Sequence, residues 1–141
     1  MIYLHNQDTE YSYTKKRKLK NWIKNTVKEE GFSIGEINII FTSDDYLLEI
    51  NKNFLSHDYY TDVITFDYSD NKKISGDIFI SVDRVRENAE KYKEKFFDEL
   101  NRVIIHGILH LLGYKDNTSN EKHLMRKKED FYLKKLKDYE K

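Results

Sequence analysis

His106 and His110 stand four residues apart in the run His106-Gly-Ile-Leu-His110-Leu-Leu-Gly113-Tyr-Lys-Asp116. On a helix, that spacing puts both imidazoles on one face, one turn apart, where a single cation can reach both. Gly113 follows three residues later and can take the left-handed conformation that ends a helix and lets the chain reverse. Asp116 comes three residues after that, on the returning side, and can close a third corner. The spacing H-x3-H-x2-G-x2-D matches the ligand positions of the H-E-x-x-H-x-x-G-x-x-H template of metal-dependent peptidases, with Asp for the last histidine. Isolated histidines on helices are usually plain surface or core residues. A timed pair followed by a turn glycine and a third ligand is a metal-site pattern.

The same run lacks one peptidase part. The residue after the first histidine is Gly107, where a zinc peptidase carries the glutamate that acts as general base. The ligand scaffold is that of a metallohydrolase, but glycine has no side chain to take a proton.

The 141 residues fit one domain, 1–141, with enough chain for a core. The absence of cysteine excludes disulfides, thiolate metal sites and cysteine nucleophiles. No apolar run approaches the roughly 20 residues that span a bilayer. The first ten residues lack the pattern of a signal peptide, so a cytoplasmic protein with no membrane partner is expected. Net charge is zero, with 25 basic and 25 acidic residues, which gives no global argument for nucleic acid. The distribution is uneven: residues 1–35 and 115–141 each carry an excess of three positive charges, and the middle an excess of six negative ones. The basic ends could form a patch if they meet in the fold. The run Lys15-Lys16-Arg17-Lys18 is a candidate for substrate binding, although such runs are commonly solvated helix faces.

Apolar periodicity supplies the elements that must position the histidines. Strands are expected at Met1–His5, Glu36–Thr42, Thr61–Asp67 and Ile74–Ser81, the last two as a hairpin across the polar turn Ser69–Lys73. Helices are expected at Lys15–Glu30, from an N-cap at Ser43 to Phe54, and at Val82–Tyr92, Phe97–Leu112 and Ser119–Tyr139. The histidine helix, with Leu100, Val103, Ile104, Gly107, Ile108 and Leu111, is apolar away from its histidines and reads as the buried central helix. For the last helix, Leu124, Phe131, Leu133 and Leu136 are the apolar positions. The expected fold is α+β: a small mixed β-sheet packed against a central metal-binding helix with further helices around it.

Three stretches together resemble one family. The helix run HGILHLLGYKD is similar to the H-G-x-L-H-L-x-G-Y-D-H motif of the YbeY family. Thr61-Asp62-Val63-Ile64-Thr65-Phe66 follows its T-[DN]-V-[LI]-[ST]-F motif, and Gly76-Asp77-Ile78 its G-D-I strand. They occur in the family's order, so the resemblance spans residues 35–116 by motif and nearly the whole chain by element order. It implies a metal-dependent endoribonuclease of ribosomal RNA maturation, acting at the 3′ end of 16S rRNA. The implied partners are ribosomal RNA and the small ribosomal subunit or its assembly factors, and the implied cofactor is one zinc ion. A monomer is expected.

By position, the resemblance places metal ligands at His106, His110 and Asp116, where the family usually has a third histidine. Two histidines and a carboxylate form a harder ligand set that tolerates other divalent transition metals such as manganese or iron. The family's arginine before the T-D-V motif falls on Leu55, and no arginine occurs between Leu47 and Lys73. His57, Lys52 and Lys115 are the candidates to replace it, with His57 and Lys115 as candidate catalytic groups. Thr61, Asp62 and Asp77 read as strand-end caps and turn residues, with a supporting role at the site as the alternative. His5 and His123 read as exposed residues without a role. Three other functions stay open: a non-catalytic ribosome assembly factor with a structural metal, a zinc peptidase, and a non-haem iron oxygenase.

Overall fold

The computed structural model describes residues 1–56 and 59–138. Four strands form one sheet in the order β1-β2-β4-β3: β1 (Ile2–Gln7), β2 (Ser33–Thr42), β3 (Val63–Asp67) and β4 (Lys73–Ser81). β1 runs parallel to β2 and β2 to β4, while β3 pairs antiparallel with β4, so the sheet is mixed. The helices are α1 (Lys16–Glu29), α2 (Asp44–Leu55), α3 (Val82–Lys91), α4 (Phe96–Leu111) and α5 (Ser119–Asp138). The α+β expectation and the hairpin are borne out. β2 starts earlier than its apolar alternation suggests, because a register shift between Ile34 and Ile37 interrupts the period there.

Strand alternation sorts side chains onto two faces. Ile37, Ile39 and Phe41 of β2 and Ile74, Ile78 and Ile80 of β4 point into the main core, with Leu19, Trp22, Ile23 and Val27 of α1 and the apolar side of α4. On the other face, Ile64 of β3 meets Leu47 and Ile50 of α2, with Phe66 and Phe79 packed alongside. The Ser43 hydroxyl caps α2 by accepting from the Tyr46 amide at 3.1 Å, as the sequence predicts.

α5 departs from expectation. Its inner stripe is Met125, Glu129, Tyr132 and Leu136. Leu124 and Phe131, two of the four apolar positions read from the sequence, are 45% and 48% exposed. A charged residue inside the stripe disguised the true face. The basic chain ends do meet, where the Trp22 indole N–H donates to the Tyr132 carbonyl at 2.8 Å. Much of the local charge is paired, Lys135 with Glu29 and Lys128 with Glu30. No helix among the described residues is long and apolar enough to cross a membrane.

Candidate metal centre

The end of α4 is fixed by its own backbone. Gly113 adopts φ +102°. Its amide donates to the His110 carbonyl at 3.0 Å and the Tyr114 amide to the Leu109 carbonyl at 3.0 Å, the paired bonds of a Schellman stop. Just beyond Asp116, the Thr118 hydroxyl accepts from the Glu121 amide at 3.1 Å, and Glu121 Oε1 accepts from the Thr118 amide at 2.9 Å. This is a capping box at the start of α5. Asp116 therefore sits in a short link pinned at both ends.

The link brings Asp116 back over the two imidazoles. His106 Nε2 and His110 Nε2 lie 3.0 Å apart, and Asp116 Oδ2 is 3.3 Å from the first and 3.4 Å from the second. Ligands held at 2.0–2.1 Å around a four-coordinate cation stand about 3.3 Å from one another. The triangle has that size, so these three residues fit a transition-metal ion with a face left open. Two facing imidazole nitrogens also need a proton or a cation between them, since their lone pairs repel. Among the described residues, His106, His110 and Asp116 form the one group of three or more His, Asp or Glu side chains that could hold a metal ion.

Behind the histidines stands a carboxylate that sequence reading missed. Glu129, buried in α5, accepts from His106 Nδ1 at 2.7 Å and from Arg102 Nη1 at 2.9 Å; Arg102 Nη2 reaches Asp130 at 2.8 Å. A carboxylate on Nδ1 holds the ring so that Nε2 presents its lone pair to a metal. Burial alone would lower the pKa of His106, but the hydrogen bond and charge of Glu129 outweigh it, and the result is raised. Burial and the neighbouring His106 charge lower that of His110. The missed signal was available: a glutamate in the helical stripe of Met125, Tyr132 and Leu136 needs a partner, because a lone buried charge is costly.

Two cavities open on the cluster. One of ≈400 Å³ lies between α3, α4 and α5 and includes Tyr92, Glu99, Arg102, Lys122 and Arg126. The other, ≈490 Å³, lies toward α2 and β3 and includes Asn51, Leu55, Tyr59 and Thr61. Asp62, Val63, His106 and Asp116 line both. Asp62 is thus more than a strand-end cap. Its carbonyl does accept from the Ser81 amide at 2.9 Å, but burial pushes its carboxyl up against the opposing pull of His106. Asp77 is instead on the far face of the sheet, accepting from Asn38 Nδ2 at 3.0 Å.

Other candidates are placed elsewhere. Lys115 is exposed and lines neither cavity; Lys52 pairs with Glu49 at 3.8 Å and lines neither. His57 lies outside the described residues. Lys15, Lys16, Arg17 and Lys18 border a separate concavity of ≈580 Å³ with Thr14, Asn21 and Asn25, and share no lining residue with the cluster. His5 and His123 are exposed, His5 bonding Asn38 Oδ1 at 2.8 Å. At Gly107 a Cβ would stand 2.8 Å from Ile78 Cγ2 on β4. The position that carries the peptidase base is thus occupied by the sheet, and a glutamate has no room there.

The fold and site together define an α+β domain that presents a two-histidine, one-carboxylate triad at the end of its central helix. The family model described as Endoribonuclease YbeY matches residues 3–137, and the chain belongs to the YbeY family. The Endoribonuclease YbeY of Cytophaga hutchinsonii is 52% identical over 133 residues, covering 94% of this chain and 93% of that one. That of Flavobacterium psychrophilum is 50% identical over 129 residues, covering 92% of each. The solution structure of TM1509 from Thermotoga maritima superposes with a TM-score of 0.69 at 31% identity, over 96% of this chain and 89% of that one.

Proposed function

We propose that this chain is a metal-dependent endoribonuclease that trims ribosomal RNA, acting at the 3′ end of the small-subunit rRNA as the family's role implies. The observation that carries the reading is the His106–His110–Asp116 triangle, with edges of 3.0–3.4 Å, in a chain of this family. Zinc is the proposed ion; the carboxylate corner also suits manganese or iron. Held by His106, His110 and Asp116, a divalent cation would supply Lewis-acid chemistry.

The chain's own residues do the rest. Glu129 and the Gly113 stop orient the imidazoles, and the Thr118–Glu121 box returns Asp116 to them. Asp62, which lines both cavities with His106, is the carboxyl group best positioned to exchange a proton near the reacting phosphate. RNA brings its own nucleophile in the 2′-hydroxyl. The test is cleavage of a 3′-extended small-subunit rRNA precursor by metal-replete protein beside His110→Ala prepared identically. Cleavage by the wild type alone is expected. Equal cleavage by both would assign the activity to a contaminant. No cleavage by either, with metal confirmed bound, would favour a non-catalytic ribosome assembly factor.

A further inference from the structure

The two cavities beside the triad differ in charge. The lining of the ≈490 Å³ cavity includes no lysine or arginine among the described residues, whereas Arg102, Lys122 and Arg126 all border the ≈400 Å³ one. These three cations are not equivalent. Arg102 is held by Glu129 and Asp130 at 2.8–2.9 Å. Lys122 and Arg126 lie one turn apart on the exposed side of α5. Arg126 is 64% exposed and reaches Glu129 Oε1 at no less than 3.9 Å. Of the cavity's acidic groups, Glu129 is buried and bonded to Arg102 and His106, Glu99 and Asp62 are half-buried, and Asp116 is a corner of the triad.

Across the same opening, Tyr92 caps α3 and is 58% exposed. It serves no core. Lys91 Nζ lies over one face of its ring, 5.6 Å from the centroid, which leaves the other face for a base. Exposed aromatic faces beside a row of cations are how sequence-tolerant single-strand sites are made: the ring takes a base and the cations follow the phosphates.

We propose that this cavity is a nucleotide subsite for single-stranded RNA. The base of the nucleotide on the α3–α5 side of the triad stacks on Tyr92, and its phosphate is held by Arg126 and Lys122. The inference rests on the ribonuclease reading and gives it a strand path: one nucleotide leaves the triad toward α5, and the strand on the other side crosses the ≈490 Å³ cavity past Tyr59 and Leu55.

Binding and cleavage separate the two ideas. Metal-replete protein is titrated with a labelled, fully 2′-O-methylated single-stranded RNA, which has no 2′-hydroxyl to react, and cleavage of the unmodified strand is followed in parallel. Tyr92→Ala and Arg126→Ala are each expected to weaken binding about 10-fold, while Tyr92→Phe binds as the wild type does. Arg126→Ala should also flatten the salt dependence by about one phosphate contact. In cleavage the loss should fall on KM, with kcat within about twofold, since an outlying subsite holds substrate and transition state alike. Wild-type binding by both alanine variants would overturn the subsite, as would a Tyr92→Phe loss equal to that of Tyr92→Ala. If the wild type cleaves nothing but the alanine variants still lose binding, the subsite stands and the ribonuclease reading falls. If the wild type cleaves and the variants match it in KM, the reverse holds. If the wild type neither binds nor cleaves, both fall.

Discussion

The two sides of α4 are built to opposite rules. Toward the sheet, Leu100, Ile104, Gly107, Ile108 and Leu111 are buried with no spare room. On the other side a narrow stripe of Glu99, Arg102, His106 and His110 stays half-open, polar and electrostatically costly. The packed side holds the helix at a fixed height over β4. The open side makes use of that rigidity, because a metal triangle tolerates only small errors in where its corners stand. Stability and chemistry are thus assigned to different faces of one element, and substitutions should separate accordingly.

The largest effect is expected on the packed side. Gly107→Ala gains about 1 kcal/mol of helix propensity. It then forces Ile78 aside at an overpacking cost of about 1–3 kcal/mol, for a net loss. Gly107→Glu adds a carboxylate driven against the sheet and should cost about 4 kcal/mol or more, enough to leave little folded protein. Urea unfolding of the metal-free proteins measures both. If Gly107→Glu folded normally and hydrolysed peptides, the close approach to Ile78 would be refuted.

His110→Ala should behave in the contrary way. It removes one corner of the triangle and one side of the nitrogen–nitrogen approach at 3.0 Å. In chelator its stability should stay within about 1 kcal/mol of the wild type, as for a half-exposed site. What it should lose is the gain on adding metal, about 2.7 kcal/mol for the wild type at a free ion concentration a hundred times Kd. Calorimetry with and without zinc reads both quantities. An equal rise of Tm in the variant would mean that the ion binds elsewhere.

This separation was partly legible in the sequence. Period-3.6 apolar residues marked the packed side of α4, and the timed histidines, glycine and aspartate marked the open one, because both are local patterns. Glu129 could be read as a charge in need of a partner, but not as the support of His106, which is 23 residues away and joined to it only by tertiary packing. The cations that line a cavity beside the triad went unnoticed for the same cause. Lys52 and Lys115 are near the motifs in sequence, whereas Lys122 and Arg126 reach the cavity from one face of α5, a juxtaposition that no spacing within a single element reveals.

Glu129 and Glu30 sharpen the comparison, because α5 engages both and they serve the two purposes separately. Glu129→Gln should weaken zinc binding by about 10–100-fold, the usual cost of losing the carboxylate behind a ligating imidazole. Competition with a chromogenic chelator measures it. Unchanged affinity would show that the ring of His106 is held by packing alone.

Glu30, at the end of α1, touches no histidine among the described residues. Its Oε1 accepts from the Tyr114 hydroxyl at 2.5 Å, and its Oε2 from the Tyr132 hydroxyl and from Lys128 at 3.2 Å. Burial alone would raise its pKa, but these three donors outweigh burial and hold it below the ordinary 4.5. A depressed carboxylate pKa contributes stability that is complete above the unfolded value and is lost as pH falls through the folded one. Glu30→Gln should therefore cost about 1.5–3 kcal/mol at pH 7, as for hydrogen bonds to a charged group. The difference from the wild type should begin to shrink below pH 4.5 and close at lower pH. Zinc affinity at pH 7 should not change. Urea titrations across that range, with the chelator assay beside them, separate this purely structural carboxylate from Glu129. A loss of zinc affinity in Glu30→Gln equal to that in Glu129→Gln would show that the triad depends on how α5 is seated as a whole.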